Sequence, residues 1–105
     1  MSRSFEQALT HGQAQWITSA VHDPAASRLV VSLTHDVAQL KARRVIEFGG
    51  IQAIEHRWTH REDNCAEGLL GAEEDAHDGR YRYLLVTDQR EIEFIANYRA
   101  SIKDV

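Results

Sequence analysis

A chain of 105 residues with 43% hydrophobic and 27% charged side chains is typical of one soluble domain and excludes a disordered chain. Its single cysteine excludes an intramolecular disulfide, and no apolar run is long enough for a secretory signal or a membrane span. We therefore expect a cytoplasmic protein. The net charge of −4 disfavours nucleic acid as a partner, and without a long apolar run we expect no membrane partner.

The first 21 residues predict a helix. Ser4 and Gln7 have capping-box spacing, so their side chains can satisfy free backbone groups in a first helical turn. The apolar residues that recur on one helical face are Phe5, Leu9 and Trp16. Pro24 follows and disfavours helical geometry at the residue before it, which ends the element.

Residues 27–60 predict strands joined by a hairpin at residues 49–50. In RLVVSLTH, which starts at Arg28, apolar and polar side chains alternate as they do in a strand with one buried face. Gly49-Gly50 suits a two-residue turn because both central positions of a type I′ turn need positive φ. Such a hairpin would pair Phe48 with Ile51. Beyond them it would pair apolar residues with apolar ones and basic residues with acidic ones.

The segment IQAIEHRWTH, residues 51–60, also fits a helix. Ile51, Ile54 and Trp58 have helical spacing, and short apolar patterns do not separate the two structures. We favour a strand because only the hairpin explains both the double glycine and the cross-strand pairs.

An acidic irregular segment is predicted at residues 61–79, followed by a C-terminal hairpin at residues 80–97. In the hairpin, Tyr83 would face Phe94 and Leu85 would face Ile92, which gives one apolar face opposite a mixed charged face. The turn would lie at Asp88-Gln89, and a last strand could follow through Tyr98 to Ile102.

Charge is segregated along the chain. Residues 41–61 contain five basic residues and two acids, whereas residues 62–78 contain seven acids and neither Lys nor Arg. An acidic loop of this kind can attract a basic protein partner through long-range electrostatics. The candidate partner-binding residues are Glu73, Glu74, Asp75, Arg57 and Trp58.

His56, His60 and Cys65 raise the question of a metal site. Imidazole and thiolate are zinc ligands, and on a helix the two histidines would share a face. On a strand their Cα atoms would lie about 13 Å apart, which is too far for one ion. We therefore expect no metal and no cofactor, with a zinc site at these three residues as the alternative.

Other chemistry is poorly supported. Acidic neighbours disfavour the thiolate form of Cys65, and the chain has no nucleophile elbow and no phosphate-binding glycine loop. Each of the three His-Asp dipeptides falls at a predicted turn or strand end, where aspartate is favoured for its backbone hydrogen bonds. The tyrosines of the last hairpin lie on its apolar face, so core packing outranks stacking on RNA bases.

Four stretches carry a resemblance: VHDPAASRLVVSL, RRVIEFGGI, EGLLGAEED and RYRYLLVTDQREIEFIANYRASI. Read in order, over residues 21–102, they resemble a broad group of small β-rich bacterial proteins, some of which are classed as immunity proteins of polymorphic-toxin systems. The resemblance implies a protein partner and assigns no functional residue.

Together these observations predict an α+β domain, with an N-terminal helix followed by a mostly antiparallel meander of about five strands. The expected function is non-enzymatic protein binding of the immunity type, through one sheet face or the acidic segment. A free strand edge also allows a homodimer. The alternative is a small metal-dependent enzyme or zinc-binding protein that uses His56, His60 and Cys65.

Overall fold

The computed structural model describes Phe5 and residues 16–34, 44–59 and 67–104, and the regular elements of these three ranges are eight β-strands. The strands are β1 (Trp16–Asp23), β2 (Arg28–Thr34), β3 (Arg44–Gly49), β4 (Ile51–Trp58), β5 (Glu67–His77), β6 (Arg80–Thr87), β7 (Arg90–Ala96) and β8 (Ser101–Asp104). They form one antiparallel sheet in the order β4-β7-β6-β5-β1-β2-β3-β8.

The sheet consists of two four-stranded halves that are joined at one short seam. Half A contains β1, β2, β3 and β8, and half B contains β4, β5, β6 and β7. The seam is the pairing of Trp16 with Gly68 and of Ile17 with Glu67. Because β1 and β5 pair only at these residues, the sheet can bend at the seam, and the two halves can pack face to face.

The core lies between the inner faces of the two halves. The ring of Phe48, in half A, lies 4.9 Å from the ring of Tyr83 and 4.8 Å from that of Phe94, both in half B. Phe5 packs 5.1 Å from Tyr83. The buried aliphatic residues around these rings are Leu29, Val31, Leu33, Ile46, Leu85 and Ile92.

The predicted α+β class is wrong, and so is the predicted helix where it covers residues 16–21. Residues 16–21 lie in β1, which pairs with β2 through a turn at Pro24. The Asp23 carboxylate accepts hydrogen bonds from the backbone N–H groups of Ala25 and Ala26, at 3.1 and 3.3 Å. Pairing with β2 overrides the helical spacing of Trp16, and residues 1–4 and 6–15 lie outside the described ranges.

The predicted hairpin at residues 49–50 is also wrong. β3 pairs with β2 and β8, whereas β4 pairs with β7, so Gly50 carries the chain from half A to half B. Gly50 has a φ of 65°, and its carbonyl accepts a hydrogen bond from the N–H of Asn97 at 3.2 Å. The N–H of Ile51 donates to Ser27 O at 2.9 Å. The strand interpretation of this segment is confirmed, because residues 51–58 form β4.

The segment predicted as irregular contains the longest strand described. Residues 67–77 form β5, which pairs with β6 along most of its length, while residues 61–66 lie outside the described ranges. Asp78 and Gly79 connect the two strands with φ values of 53° and 76°. Asp-Gly is one of the strongest short hairpin signals, so these two residues alone favour the turn found here.

The C-terminal hairpin is confirmed in its register. Tyr83 pairs with Phe94 and Leu85 with Ile92, as the alternation of residues 80–97 predicts. The last strand begins at Ser101 and pairs with β3. None of the described elements is a helix with the length and apolarity needed to cross a membrane.

Candidate functional site on the outer face of half B

The outer face of half B carries a ladder of paired charges. Arg57 on β4 contacts three carboxylates: Glu55 at 2.9 Å, and Glu91 and Glu93 at 3.1 Å each. Arg82 on β6 contacts Glu93 from the other side. On β6 and β7 these residues alternate with buried ones, and on β4 Glu55 and Arg57 pair with Glu93 and Glu91, so all five lie on the surface opposite the core.

The ladder keeps the carboxylate of Glu93 ionised. Hydrogen bonds from Arg82, and then from Arg57, lower the pKa of Glu93 below its ordinary value. Hydrogen bonds to Glu91 and Glu93 raise the pKa of Arg57. The face therefore presents a fixed pattern of charge, although each exposed pair contributes little to folding stability.

Two adjoining cavities cross this face and share Arg82 and Ile95. The larger, of about 680 Å³, lies beside the Asp78-Gly79 turn, and the smaller, of about 180 Å³, lies toward β4. The larger is lined by Asp75, Ala76, His77, Asp78, Arg80, Arg82 and Ile95. The smaller is lined by Ala53, Glu55, Arg82, Glu93, Phe94 and Ile95. We call the two cavities together the outer groove.

The three acids predicted as one docking motif are divided between the two faces. Glu73 and Asp75 are exposed, and Asp75 lies opposite Arg82 on the outer face. Glu74 lies opposite the buried Tyr83, and its side chain is only 11% exposed. Because β5 is a strand and not a loop, its successive side chains point to opposite sides.

Glu74 has a structural role inside the fold. The hydroxyl of Tyr83 donates to Glu74 Oε2 at 2.7 Å and accepts from the N–H of Ala100 at 2.8 Å. Burial, and then the hydrogen bond to Glu74, raises the pKa of Tyr83. Arg99 lies 3.4 Å from the other oxygen of Glu74. The cluster holds the segment before β8 against half B.

Arg57 and Trp58 are likewise separated, although they are neighbours in the chain. Arg57 belongs to the outer ladder, whereas Trp58 lies over the guanidinium of Arg90 at 4.5 Å. Arg90 forms a two-point ion pair with Glu67, with distances of 2.9 and 3.1 Å, and both of these side chains are largely buried. Trp58 therefore packs on an internal ion pair, and only Arg57 contributes to the outer face.

His56 lies beside the same ion pair. Its Nδ1 is 3.1 Å from Nη1 of Arg90, and burial, followed by the charge of Arg90, lowers the pKa of His56. A guanidinium at this distance disfavours a second cation on the ring. His60 and Cys65 lie outside the described ranges, so the alternative zinc site remains a prediction. Within the described part of the chain, no three His, Cys, Asp or Glu side chains form a group that could hold a metal ion.

β4 and β8 are the outermost strands of the sheet within the described ranges. The pairing of β4 shifts between Gln52 and Glu55, where Ala53 has a φ of 53°. An irregularity of this kind twists an edge strand and hinders pairing with another chain. The homodimer through a strand edge stays a prediction.

The sequence analysis did not assign the groove residues His77, Asp78 and Arg80 to a site. The Asp-Gly signal predicts a turn that brings them together at the end of a hairpin, whereas the predicted boundaries put His77 and Asp78 in the irregular segment and Arg80 in the C-terminal hairpin. The register of the C-terminal hairpin makes Arg82 a diagonal neighbour of Glu93, and the two side chains form an ion pair. Comparison with models of protein families and with curated proteins finds no match to this chain.

Proposed function

We propose that this protein is a non-enzymatic binding domain that docks a protein partner with a basic surface on the outer face of half B. The observation that carries the proposal is the charge balance of that face. Three arginines, Arg57, Arg80 and Arg82, lie there among six carboxylates, which are Glu55, Glu73, Asp75, Asp78, Glu91 and Glu93. An acidic excess attracts a basic partner and speeds their encounter.

The ladder supports binding better than catalysis. A general acid needs a pKa near the working pH, whereas the two arginines lower the pKa of Glu93 and keep it ionised. Mutual pairing also fixes the side chains before a partner arrives, which reduces the conformational entropy lost on binding.

The resemblance to immunity proteins suggests the class of partner. We propose a toxin of a polymorphic-toxin system, because binding by an acidic face can cover a basic substrate-binding surface. Arg57, Glu73 and Asp75 are the predicted docking residues that remain in this proposal. Glu74 has internal contacts and is assigned no part in docking. Trp58 is 41% exposed but packs on Arg90 and not on the outer face, so it is assigned no part either.

The test is affinity capture, identification of the captured protein by mass spectrometry, and titration of that purified protein against matched variants. Glu73→Lys alters the outer face of half B, and Glu47→Lys makes the same change of charge on half A, where Glu47 lies between Val30 and Ser101. We expect Glu73→Lys to weaken binding by about fivefold at low salt, and by less at high salt. Glu47→Lys should have little effect.

Equal weakening by the two variants would contradict docking on half B, because it would report only the net charge of the protein. Turnover of any captured molecule by the purified chain would contradict the non-enzymatic role.

A further inference from the structure

We infer that the larger cavity of the outer groove receives an extended segment of the partner that carries one basic and one acidic side chain two residues apart. This inference rests on the proposed docking role of half B and specifies the chemistry of the contact.

Two opposite charges in the cavity have no ion pair among the described residues. Asp75 lies opposite Arg82, but the guanidinium of Arg82 is turned to Glu93. Arg80 lies opposite His77, and that imidazole contacts Asp78 at 3.1 Å. Asp75 and Arg80 are therefore the carboxylate and the guanidinium available to a ligand in this part of the chain.

Their separation matches the repeat of an extended chain. Asp75 and Arg80 are diagonal neighbours across the β5–β6 pair, and such neighbours lie about 7–8 Å apart. In an extended segment, side chains two residues apart lie on one side at a spacing of about 6.6–6.8 Å. A basic side chain can thus meet Asp75 while an acidic one, two residues away, meets Arg80.

The shape of the groove fits the same occupant. From β5 to β4 it crosses three strand spacings, or about 14 Å, which equals the length of about four extended residues. Ile95 lines both cavities and offers an apolar contact to the aliphatic stems of the two side chains that face the groove. The larger cavity, of about 680 Å³, is of the size that holds small ligands and peptide segments.

A phosphate-rich ligand fits less well. Arg80 and Arg82 both line the cavity, but Asp75 and Asp78 lie beside them and Glu93 already neutralises Arg82. The carboxylates would repel a polyanion, whereas a segment with one basic and one acidic side chain can pair with both Asp75 and Arg80.

The test is an NMR titration of the ¹⁵N-labelled protein with three acetylated and amidated pentapeptides: Ser-Lys-Ser-Glu-Ser, Ser-Lys-Ser-Lys-Ser and Ser-Glu-Ser-Glu-Ser. We expect the mixed-charge peptide to shift the amides of residues 75–82 and 95 with a dissociation constant on the order of 1 mM. The other two peptides should bind about threefold more weakly, because each leaves one groove charge unpaired and opposes the other.

Charge reversal should change which peptide is preferred. Arg80→Glu makes both ligand-facing groups acidic, so the dilysine peptide should become the best ligand. Asp75→Lys should favour the diglutamate peptide by the same reasoning. The matched control is Arg28→Glu, an exposed strand position on half A, which should leave the wild-type order unchanged.

An unchanged order of peptides in Arg80→Glu and Asp75→Lys would overturn the inference, as would the absence of localised shifts with all three peptides. Failure here, together with weakened partner binding in Glu73→Lys, would leave half B as the docking face, because Glu73 does not line the groove. Peptide binding together with equal effects of Glu73→Lys and Glu47→Lys would instead contradict the proposed function alone.

Discussion

Two junctions between strands look alike in the sequence and differ in the structure. The residues on either side of Asp88-Gln89 and of Gly49-Gly50 can both be arranged as matched cross-strand pairs. At the first junction, β6 and β7 pair in the predicted register. At the second, β3 and β4 separate and join different halves of the sheet.

The difference shows that complementary pairs permit a hairpin without specifying it. β7 has two neighbours, β6 and β4, and β4 joins it only because the chain crosses over at Gly50. The Asp88-Gln89 turn has its own local support, because the N–H groups of Gln89 and Arg90 both donate to the hydroxyl of Thr87. Gly50 is instead held by segments that are distant in the chain. Its carbonyl accepts a hydrogen bond from the N–H of Asn97, and the N–H of the next residue, Ile51, donates to Ser27 O.

The largest expected effect comes from the packing that draws the two halves together across this junction. Phe48 lies two residues before Gly50 and is fully buried against Tyr83 and Phe94. We expect Phe48→Ala to lower the free energy of unfolding by about 3–5 kcal/mol, measured by urea denaturation. Phe48→Leu, which keeps more of the volume, should cost clearly less. A loss below about 1 kcal/mol for Phe48→Ala would contradict a core between the halves.

The crossover itself is tested by substituting alanine for Gly50 and, as a comparison, for Gly79, which has a similar φ. Gly79→Ala should cost about 1 kcal/mol, because its φ is 76° and a Cβ there meets nothing within 4 Å. Gly50→Ala should cost at least about 2 kcal/mol more, since its Cβ would lie 2.7 Å from the Asn97 Cβ.

Adding Asn97→Gly to Gly50→Ala should recover part of that difference, because it removes the atom in conflict. Equal costs for the two single variants would show that Gly50 is needed for its backbone conformation alone.

The predicted hairpin should depend on its turn hydroxyl. Thr87 is buried, accepts from two backbone N–H groups at 3.1 and 3.0 Å, and donates to Glu67 at 2.9 Å. We expect Thr87→Val to cost about 1–3 kcal/mol in thermal or urea unfolding, because it leaves buried partners unsatisfied. The matched control is Thr18→Val, which loses one hydrogen bond to Ser32 O at 3.3 Å and should cost about 0.5 kcal/mol. Similar losses in both would remove the special role of the turn.

The smallest expected effect is a dependence of folding stability on pH, caused by His56 on β4, which contacts Arg90 at the start of β7. Burial and Arg90 lower the pKa of His56 below 6.5, so the folded protein binds this proton less readily than the unfolded chain. Stability should therefore fall as the pH decreases from about 6.5 through the lower pKa of the folded state. We expect His56→Gln to make the unfolding free energy less sensitive to pH in that window. An identical pH profile in the variant would contradict the assignment.

The face proposed for docking was predictable in part. The acids of β5 stand out in the sequence, and strand alternation, had it been applied to residues 67–77, would have turned Glu74 inward and left Glu73 and Asp75 outside. The groove was not predictable in the same way. It requires residues from three paired strands. These are Asp75 on β5, Arg80 and Arg82 on β6, and Ile95 on β7.

The sequence by itself determined the strands whose side chains alternate and whose partner lies next to them in the chain. β2 and the β6–β7 hairpin are of this kind, because local pairing and a short turn act on the same residues. Tertiary structure decided the rest. Trp16 lies in a strand because β2 and β5 offer it backbone partners, and Gly50 became a crossover because burying Phe48 between the halves stabilises more than a local hairpin would. Long-range burial and backbone pairing act over many residues at once, and so they override the weaker preferences of any short segment.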